Sequence, residues 1–433
     1  MKYRNMWARV LVSALIAGVL PLGPGVASAG AQLRGSFRGH AYGTFANAKA
    51  GKVAATLGRS AFIPCPCNGT QGVIRSETVD SVAAGKAVKA EGIHDTVFTD
   101  KSASTAVVDT TSKVTGIRLL DGMVKAEAVE AVAHTDADPD TIRSSAGDSK
   151  FVRLSILGDR VRNSEIAAGS RMSLPGIGYL LLKNVQRDGD GLSSGSLTVD
   201  MATIVVRHRN DFDLPIGSKI VIAHAKSGYN RHEPPAVVEG SAFAASAKAS
   251  APGVENRIGR AAAIYLGCEG TKGETRRNDI DTLNVPQTLS SGTGRTTALG
   301  ERIGDVTRAK TTARVQDVDL LDGVIAADVV KGEALSTFDT RTQLGTGTTE
   351  GSSFGNLKVA GVSYPVDVAP NTVVPIIGGQ VTLRDELTRG DAGGGQARVV
   401  MIHVTITEGS NPYGLPAGTN IYVASARSKA LPF

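Results

Sequence analysis

Ile117 and Leu119 flank Arg118, and Val124, Ala126 and Ala128 alternate with Lys125 and Glu127. Apolar residues at every second position mark strands with one buried face. The Asp121-Gly122 dipeptide between the two runs predicts a hairpin, because Gly accepts the positive φ that tight hairpin turns require. The pattern returns later in the chain. Val318 and Leu320 precede Asp322-Gly323, and Ile325, Ala327 and Val329 follow it. Residues 197–206 and 398–407 are rich in Val, Ile and Thr and read as further strands. Residues 126–133, rich in Ala and Glu, would favour a helix in isolation. Their later counterpart contains Gly332 and more β-branched residues. One fold must serve both segments, so strand is the expectation.

These echoes share one offset. Leu119-Leu120-Asp121-Gly122 returns as Leu320-Leu321-Asp322-Gly323, 201 positions on. Gly39-His40-Ala41-Tyr42 matches Gly240-Ser241-Ala242-Phe243, Gly58-Arg59 matches Gly259-Arg260, and the Cys67 to Gly72 segment matches Cys268 to Gly273. Leu214-Pro215-Ile216-Gly217 matches Leu415-Pro416-Ala417-Gly418, and each leads into an apolar strand, 220–225 and 421–426. A constant offset predicts two equivalent units with few net insertions. The expected organisation is a first copy over 39–227, a linker over 228–239 containing His232-Glu233-Pro234-Pro235, and a second copy over 240–433. Consecutive prolines suit neither helix nor central strand, which places the linker there. About 190 residues per copy can bury roughly 70% of their chain surface. The expected class is all-β, with two tandem antiparallel β-sandwich-like domains.

Residues 1–29 read as a signal peptide. Lys2, Arg4 and Arg9 precede an apolar run, Val10 to Leu20, that falls short of the ~20 residues a membrane span needs. Ala27-Ser28-Ala29 suits signal peptidase, so the mature chain is expected to start at Gly30, outside the cytoplasm and without a transmembrane segment. The net charge of +6 then falls to +3, because the leader holds three basic residues and no acidic one. The basic residues are scattered and aromatics make up 4% of the chain, which argues against a nucleic-acid partner.

The candidate chemistry is sparse. Cys65, Cys67 and Cys268 are expected to oxidise in an exported protein. A Cys67–Cys268 bridge between equivalent positions, a strained Cys65–Cys67 loop, and buried or capped thiols all remain open, and the odd count leaves a thiol for a second chain. Asp136, Asp138 and Asp140 alternate like calcium ligands, with Asp188 and Asp190 in a later loop. The first group lacks the Gly and bidentate Glu of an EF-hand, and copy two has Phe338-Asp339-Thr340 there, so a solvated turn is expected. The histidines at 40, 94, 134, 208, 224, 232 and 403 form no HExxH motif. There is no nucleophile elbow and no P-loop. Arg389-Gly390-Asp391 is an integrin-type tripeptide that reads as chance in a Gly-rich turn. No cofactor or metal site is expected.

Gly39 to Gly43 (Gly-x-Ala-Tyr-Gly), Pro64-Cys65 and the Leu-Leu-x-Gly hairpin with its Ala/Val/Thr flanks resemble the choice-of-anchor P family of secreted or surface bacterial proteins. The likeness covers both copies. It implies surface attachment through a variable C-terminal anchor and brings no catalytic residues. Leu431-Pro432-Phe433 carries no sortase-type motif and no hydrophobic tail, so release or non-covalent retention is the expectation.

The leading functional expectation is a non-enzymatic, structural or adhesive protein of the cell envelope or its surroundings. It would contact a wall or surface polymer, or other copies of itself, and a tandem pair adds avidity. The rival is a secreted hydrolase using Asp121 and Asp322, which would need to face each other ~5–10 Å apart. Turn chemistry is the simpler role for both acids and for Gly122 and Gly323. A small-ligand module is a third option, and few aromatics are available as sugar platforms.

Overall fold

The computed structural model describes residues 33–47, 59–79, 81–251, 254–280, 282–285 and 288–433. The expected signal peptide and Gly58 lie outside them. The described chain is all-β, with antiparallel pairing throughout. Residues 36–230 build two sheets and residues 236–432 build two more, with six and ten strands, then seven and ten, among the described residues.

The register makes the duplication physical. In the first sheet, Ser36–Asn47 lies beside Lys219–Asn230 with Tyr42 opposite His224; in the third, Ala236–Ala251 lies beside Asn420–Pro432 with Phe243 opposite Ser425. The central hairpins repeat likewise. Ala106–Leu119 pairs Val124–Ala137 through Leu119 opposite Val124, and Val306–Leu320 pairs Ile325–Asp339 through Leu320 opposite Ile325. Each of these hairpins turns through three successive positive φ values, at Leu120, Asp121 and Gly122 and at Leu321, Asp322 and Gly323. Asp121 and Asp322 are therefore turn residues with exposed side chains. The Ala-rich 126–133 segment is strand, inside Val124–Ala137.

Irregular backbone repeats too. Lys183 and Arg384 sit at φ near +50° within long strands, as do Ala223 and Ala424. At each pair the strand ladder skips one position, so the sheets bend at the same points in both copies.

Each copy closes its two sheets over one main core. Leu180, Leu197, Met201 and Ile222 meet Val114, Leu120 and Val129 in the first, and Leu383, Val399, Met401 and Val423 meet Val315, Leu321 and Val330 in the second. Small residues let the sheets approach closely. A Cβ at Gly347 would stand 1.9 Å from the Gln396 carbonyl, and one at Gly395 would stand 2.0 Å from that of Thr346. That close approach accounts for the glycines at these two positions.

The connection between copies is shorter than the 228–239 expected. Residues 228–230 finish Lys219–Asn230 and residues 236–239 open Ala236–Ala251, leaving 231–235 as the link. The two prolines sit in that gap, where no ladder needs their missing N–H.

Candidate functional site

The first sheet carries a polar and aromatic cluster near its edge. Tyr42 and His224 face each other across paired strands, with their rings stacked at 4.2 Å. His224 Nδ1 meets Asp200 Oδ1 at 2.5 Å from the next strand, and its Nε2 meets His40 Nε2 at 3.1 Å. With Asp200 accepting from Nδ1–H, His224 Nε2 is the acceptor and His40 Nε2–H the donor. Burial lowers the pKa of His224 although the Asp200 carboxylate opposes the shift. Burial, helped by His224, Arg59 and Lys226, lowers that of His40 well below the usual imidazole range. Burial therefore favours the neutral form of both rings.

This chain of groups resembles a catalytic relay without a nucleophile. Beyond His40 come the rings of Phe62 and Tyr42, and no serine or cysteine hydrogen-bonds to either imidazole among the described residues. Strand register places Ser241, Val400 and Ser425 at the equivalent positions in copy two. The cluster belongs to one copy and orders that edge of the sheet.

The cluster abuts the junction between copies. Phe62 stacks on Tyr265 at 3.7 Å, and the Arg59 guanidinium lies 5.2 Å from the Tyr42 and Phe62 rings and 5.7 Å from that of Tyr265. Cation–π attraction of this kind holds an arginine without a carboxylate. Nearby, Cys67 and Cys268 form a disulfide with Cα atoms 5.5 Å apart. Phe37 N–H donates to Cys67 O, and the equivalent Val238 N–H donates to Cys268 O. Arg38 pairs with Glu269, which also accepts from Asn230 Nδ2 at 3.0 Å. Cys65 is a buried free thiol whose pKa is raised by burial.

Two surface clefts flank this junction. The larger, about 610 Å³, includes Asn68, Gln71, Asp100, Lys101, Glu233 and Phe433 in its lining. The smaller, about 210 Å³, includes His232, Pro234, Glu269, Glu301 and Arg302.

The acidic residues singled out from sequence do not gather. Asp136 pairs with His134 (3.4 Å) and Arg143 (3.6 Å). Asp138 accepts the amides of Asp140 and Thr141 at 2.9 and 2.8 Å, which hold its carboxyl down to about 2. Asp140 is exposed in the same turn. Asp190 is a second turn-forming acid, accepting from Leu192, Ser193 and Ser194 amides, and Asp188 lies in an exposed strand end. Among the described residues, no group of three or more His, Cys, Asp or Glu side chains could hold a metal ion. Asp121 and Asp322 occupy separate turns on separate sheets and line neither cleft. Arg389-Gly390-Asp391 runs into the tip of a hairpin, with Gly390 opposite Gly395 and Asp391 accepting from Gly393 N–H at 2.7 Å.

Of the dispersed histidines, His403 stacks on Tyr422 and approaches Asp385 at 3.4 Å, His134 contacts Asp109 at 2.6 Å, and His232 lines the smaller cleft. His94 and His208 are exposed. Sequence reasoning missed Asp200, Arg59, Phe62, Tyr265 and both clefts. One signal was available: Phe62 aligns with Ala263 and Tyr265 with Pro64, so aromatics replace small or cyclic residues beside the matched cysteines.

No protein family matches the sequence, and no curated protein matches it. Among solved structures the chain is similar to two forms of the vaccine antigen transferrin binding protein B from Haemophilus parasuis Hp5. A double mutant aligns at 8% identity over 96% of this chain and 99% of that one, with a TM-score of 0.12. A single mutant aligns at 9% identity over 91% and 76%, with a TM-score of 0.11. Likenesses at these TM-scores carry no argument about fold or function. Among the described residues, no helix is long and apolar enough to cross a membrane.

Proposed function

We propose that the protein is secreted and non-enzymatic, a structural or adhesive module of the cell envelope or its surroundings that contacts a surface polymer. The observation that carries this reading is the Cys67–Cys268 bridge, which ties equivalent positions of two all-β units. Structural disulfides persist in oxidising compartments outside the cytoplasm. A covalent tie beside a stacked aromatic pair also restrains the two copies relative to each other, which suits a module that holds a surface. Among the described residues no nucleophile hydrogen-bonds to the Asp200–His224–His40 chain, and Asp121 and Asp322 serve turns, so neither favours hydrolysis.

Co-sedimentation of the mature protein with cell envelopes of its source, at low and high salt, tests the reading. Retention at both salt concentrations supports it. Retention at low salt alone would indicate screened surface charge and count against it, as would no retention at all.

A further inference from the structure

The two junction clefts are one site, duplicated. Phe37, Asn68, Asp100 and Lys101 line the larger; 201 positions on, Val238, Glu269, Glu301 and Arg302 line the smaller. The link between copies serves both, giving Glu233 to one and His232 with Pro234 to the other.

The copies differ in what remains free. In the smaller cleft, Glu269 is held by Arg38 and Asn230, Glu301 pairs with Arg308 at 3.5 Å, and Arg302 donates to Gly304 O at 2.9 Å. In the larger, the Asn68 and Gln71 carboxamides are exposed and make no hydrogen bond among the described residues. Asp100 is exposed and commits one oxygen to the Lys101 N–H at 3.0 Å. Its volume of about 610 Å³ falls within the roughly 300–1,000 Å³ of small-ligand sites, and the smaller cleft does not reach that range.

The free groups define the ligand. The Lys101 ammonium is already engaged by Gly35 O at 3.2 Å and Glu233 at 3.8 Å. Asp100 and Glu233 outnumber it, so the cleft repels polyanions. Two carboxamides and a carboxylate call for a partner that donates and accepts from adjacent atoms without charge. Neighbouring sugar hydroxyls do both. Phe433, partly exposed in the lining, adds an apolar surface for the C–H face of a sugar ring.

We propose that the larger cleft is a binding subsite for a neutral polysaccharide and that the smaller is its counterpart, closed by its own ion pairs. This rests on the adhesive reading and names the polymer class.

The test is calorimetric titration of the mature protein with maltohexaose, cellohexaose and chitohexaose, and with polygalacturonate as the anionic control. At least one neutral oligosaccharide should bind. Gln71→Ala and Asp100→Asn, both at exposed positions, should weaken that binding at least tenfold, and Glu301→Gln should leave it unchanged. Binding by none of the neutral oligosaccharides, binding of the polyanion alone, or binding indifferent to both variants would overturn the assignment. Envelope co-sedimentation of the wild type separates the two proposals. Wild-type retention at both salts with no binding of any neutral oligosaccharide removes the subsite and leaves the adhesive reading standing; a wild type that does not sediment removes the adhesive reading itself.

Discussion

Phe62 and Tyr265 stack at 3.7 Å with their planes 21° apart, and they join two copies that do not match at these positions. Phe62 stands where copy two has Ala263, and Tyr265 where copy one has Pro64. Each copy contributes one ring, and neither ring has an aromatic counterpart in the other copy. The contact lies beside the disulfide and beneath Arg59, so the junction combines a covalent tie, an aromatic stack and a cation.

Removing the stack should loosen the junction without unfolding either copy. Phe62→Ala in a Cys67→Ser/Cys268→Ser background is expected to weaken inter-copy docking by about 1 kcal/mol or more, the worth of an aromatic pair beyond its area. Two resolved calorimetric transitions and faster proteolysis at residues 231–235 would show it. With the disulfide intact the same substitution should do little, because the tie keeps the copies close. A single unchanged transition in the cysteine-free variant would mean that other contacts hold the junction.

The buried imidazoles give the protein an acid limit. His40 and His224 are lowered chiefly by burial, with Arg59 and Lys226 adding to the shift and Asp200 resisting it at His224. A lowered folded pKa favours the neutral ring, so this contribution is complete above about 6.5 and is lost as pH falls below it. Each group can tilt stability by up to about 1.4 kcal/mol per pH unit in that window. Thermal midpoints recorded from pH 7.5 to 5 should carry this loss in the wild type, against the opposite slope of the buried Asp95 carboxyl. The slope should be shallower in His40→Gln. Parallel slopes would assign the acid sensitivity elsewhere.

The repeat was legible because one offset preserves strand register over most strands, as the paired Leu119–Val124 and Leu320–Ile325 hairpins show. The all-β class was legible from period-two alternation, even through the Ala-rich 126–133 segment, because sheet pairing outweighs local helix propensity. The junction was not legible. Its groups come from positions 38, 59, 62, 230, 265 and 269, brought together only by the docking of two sheets. The repeat logic also hid them, because the two copies differ at those sites. The link was overestimated at 228–239 because prolines mark a break but do not show how far strands run towards it.

Lys183 holds φ at +47° inside a long strand, a conformation that side chains with a Cβ enter at a cost. Lys183→Gly is expected to be neutral or stabilising by up to about 1 kcal/mol, since relief of that cost offsets the greater freedom of the unfolded chain. Lys183→Val should destabilise by about 1–2 kcal/mol, a β-branched residue tolerating positive φ worst. Urea midpoints of the two variants decide it. A Val variant as stable as the Gly variant would mean that the backbone at this bend does not hold positive φ.

Asp95 is fully buried, and both carboxyl oxygens lack a well-formed hydrogen bond. The nearest donors are committed elsewhere, Ser112 to Tyr42 O and Gly43 N–H to Ser60 O, each at 3.0 Å. Burial pushes its carboxyl well above the usual range, and Glu77 adds to the shift while Ser112 and Gly43 oppose it. Copy two has Thr296 there, fully buried and donating to Ala262 O at 2.5 Å. A raised folded pKa means that the native state holds a proton the unfolded chain releases. Stability from this group is therefore full below about 3.9 and declines as pH rises towards the folded value. Asp95→Thr should place the partnered hydroxyl of copy two into copy one and stabilise the protein at pH 7 by about 1–3 kcal/mol, the usual cost of an unsatisfied buried group. The gain should shrink towards pH 4, as the carboxyl of the unfolded chain regains its proton too. Denaturant midpoints at pH 7 and pH 4 measure both effects. A Thr variant less stable than wild type at pH 7 would show that the carboxyl is satisfied in the folded protein.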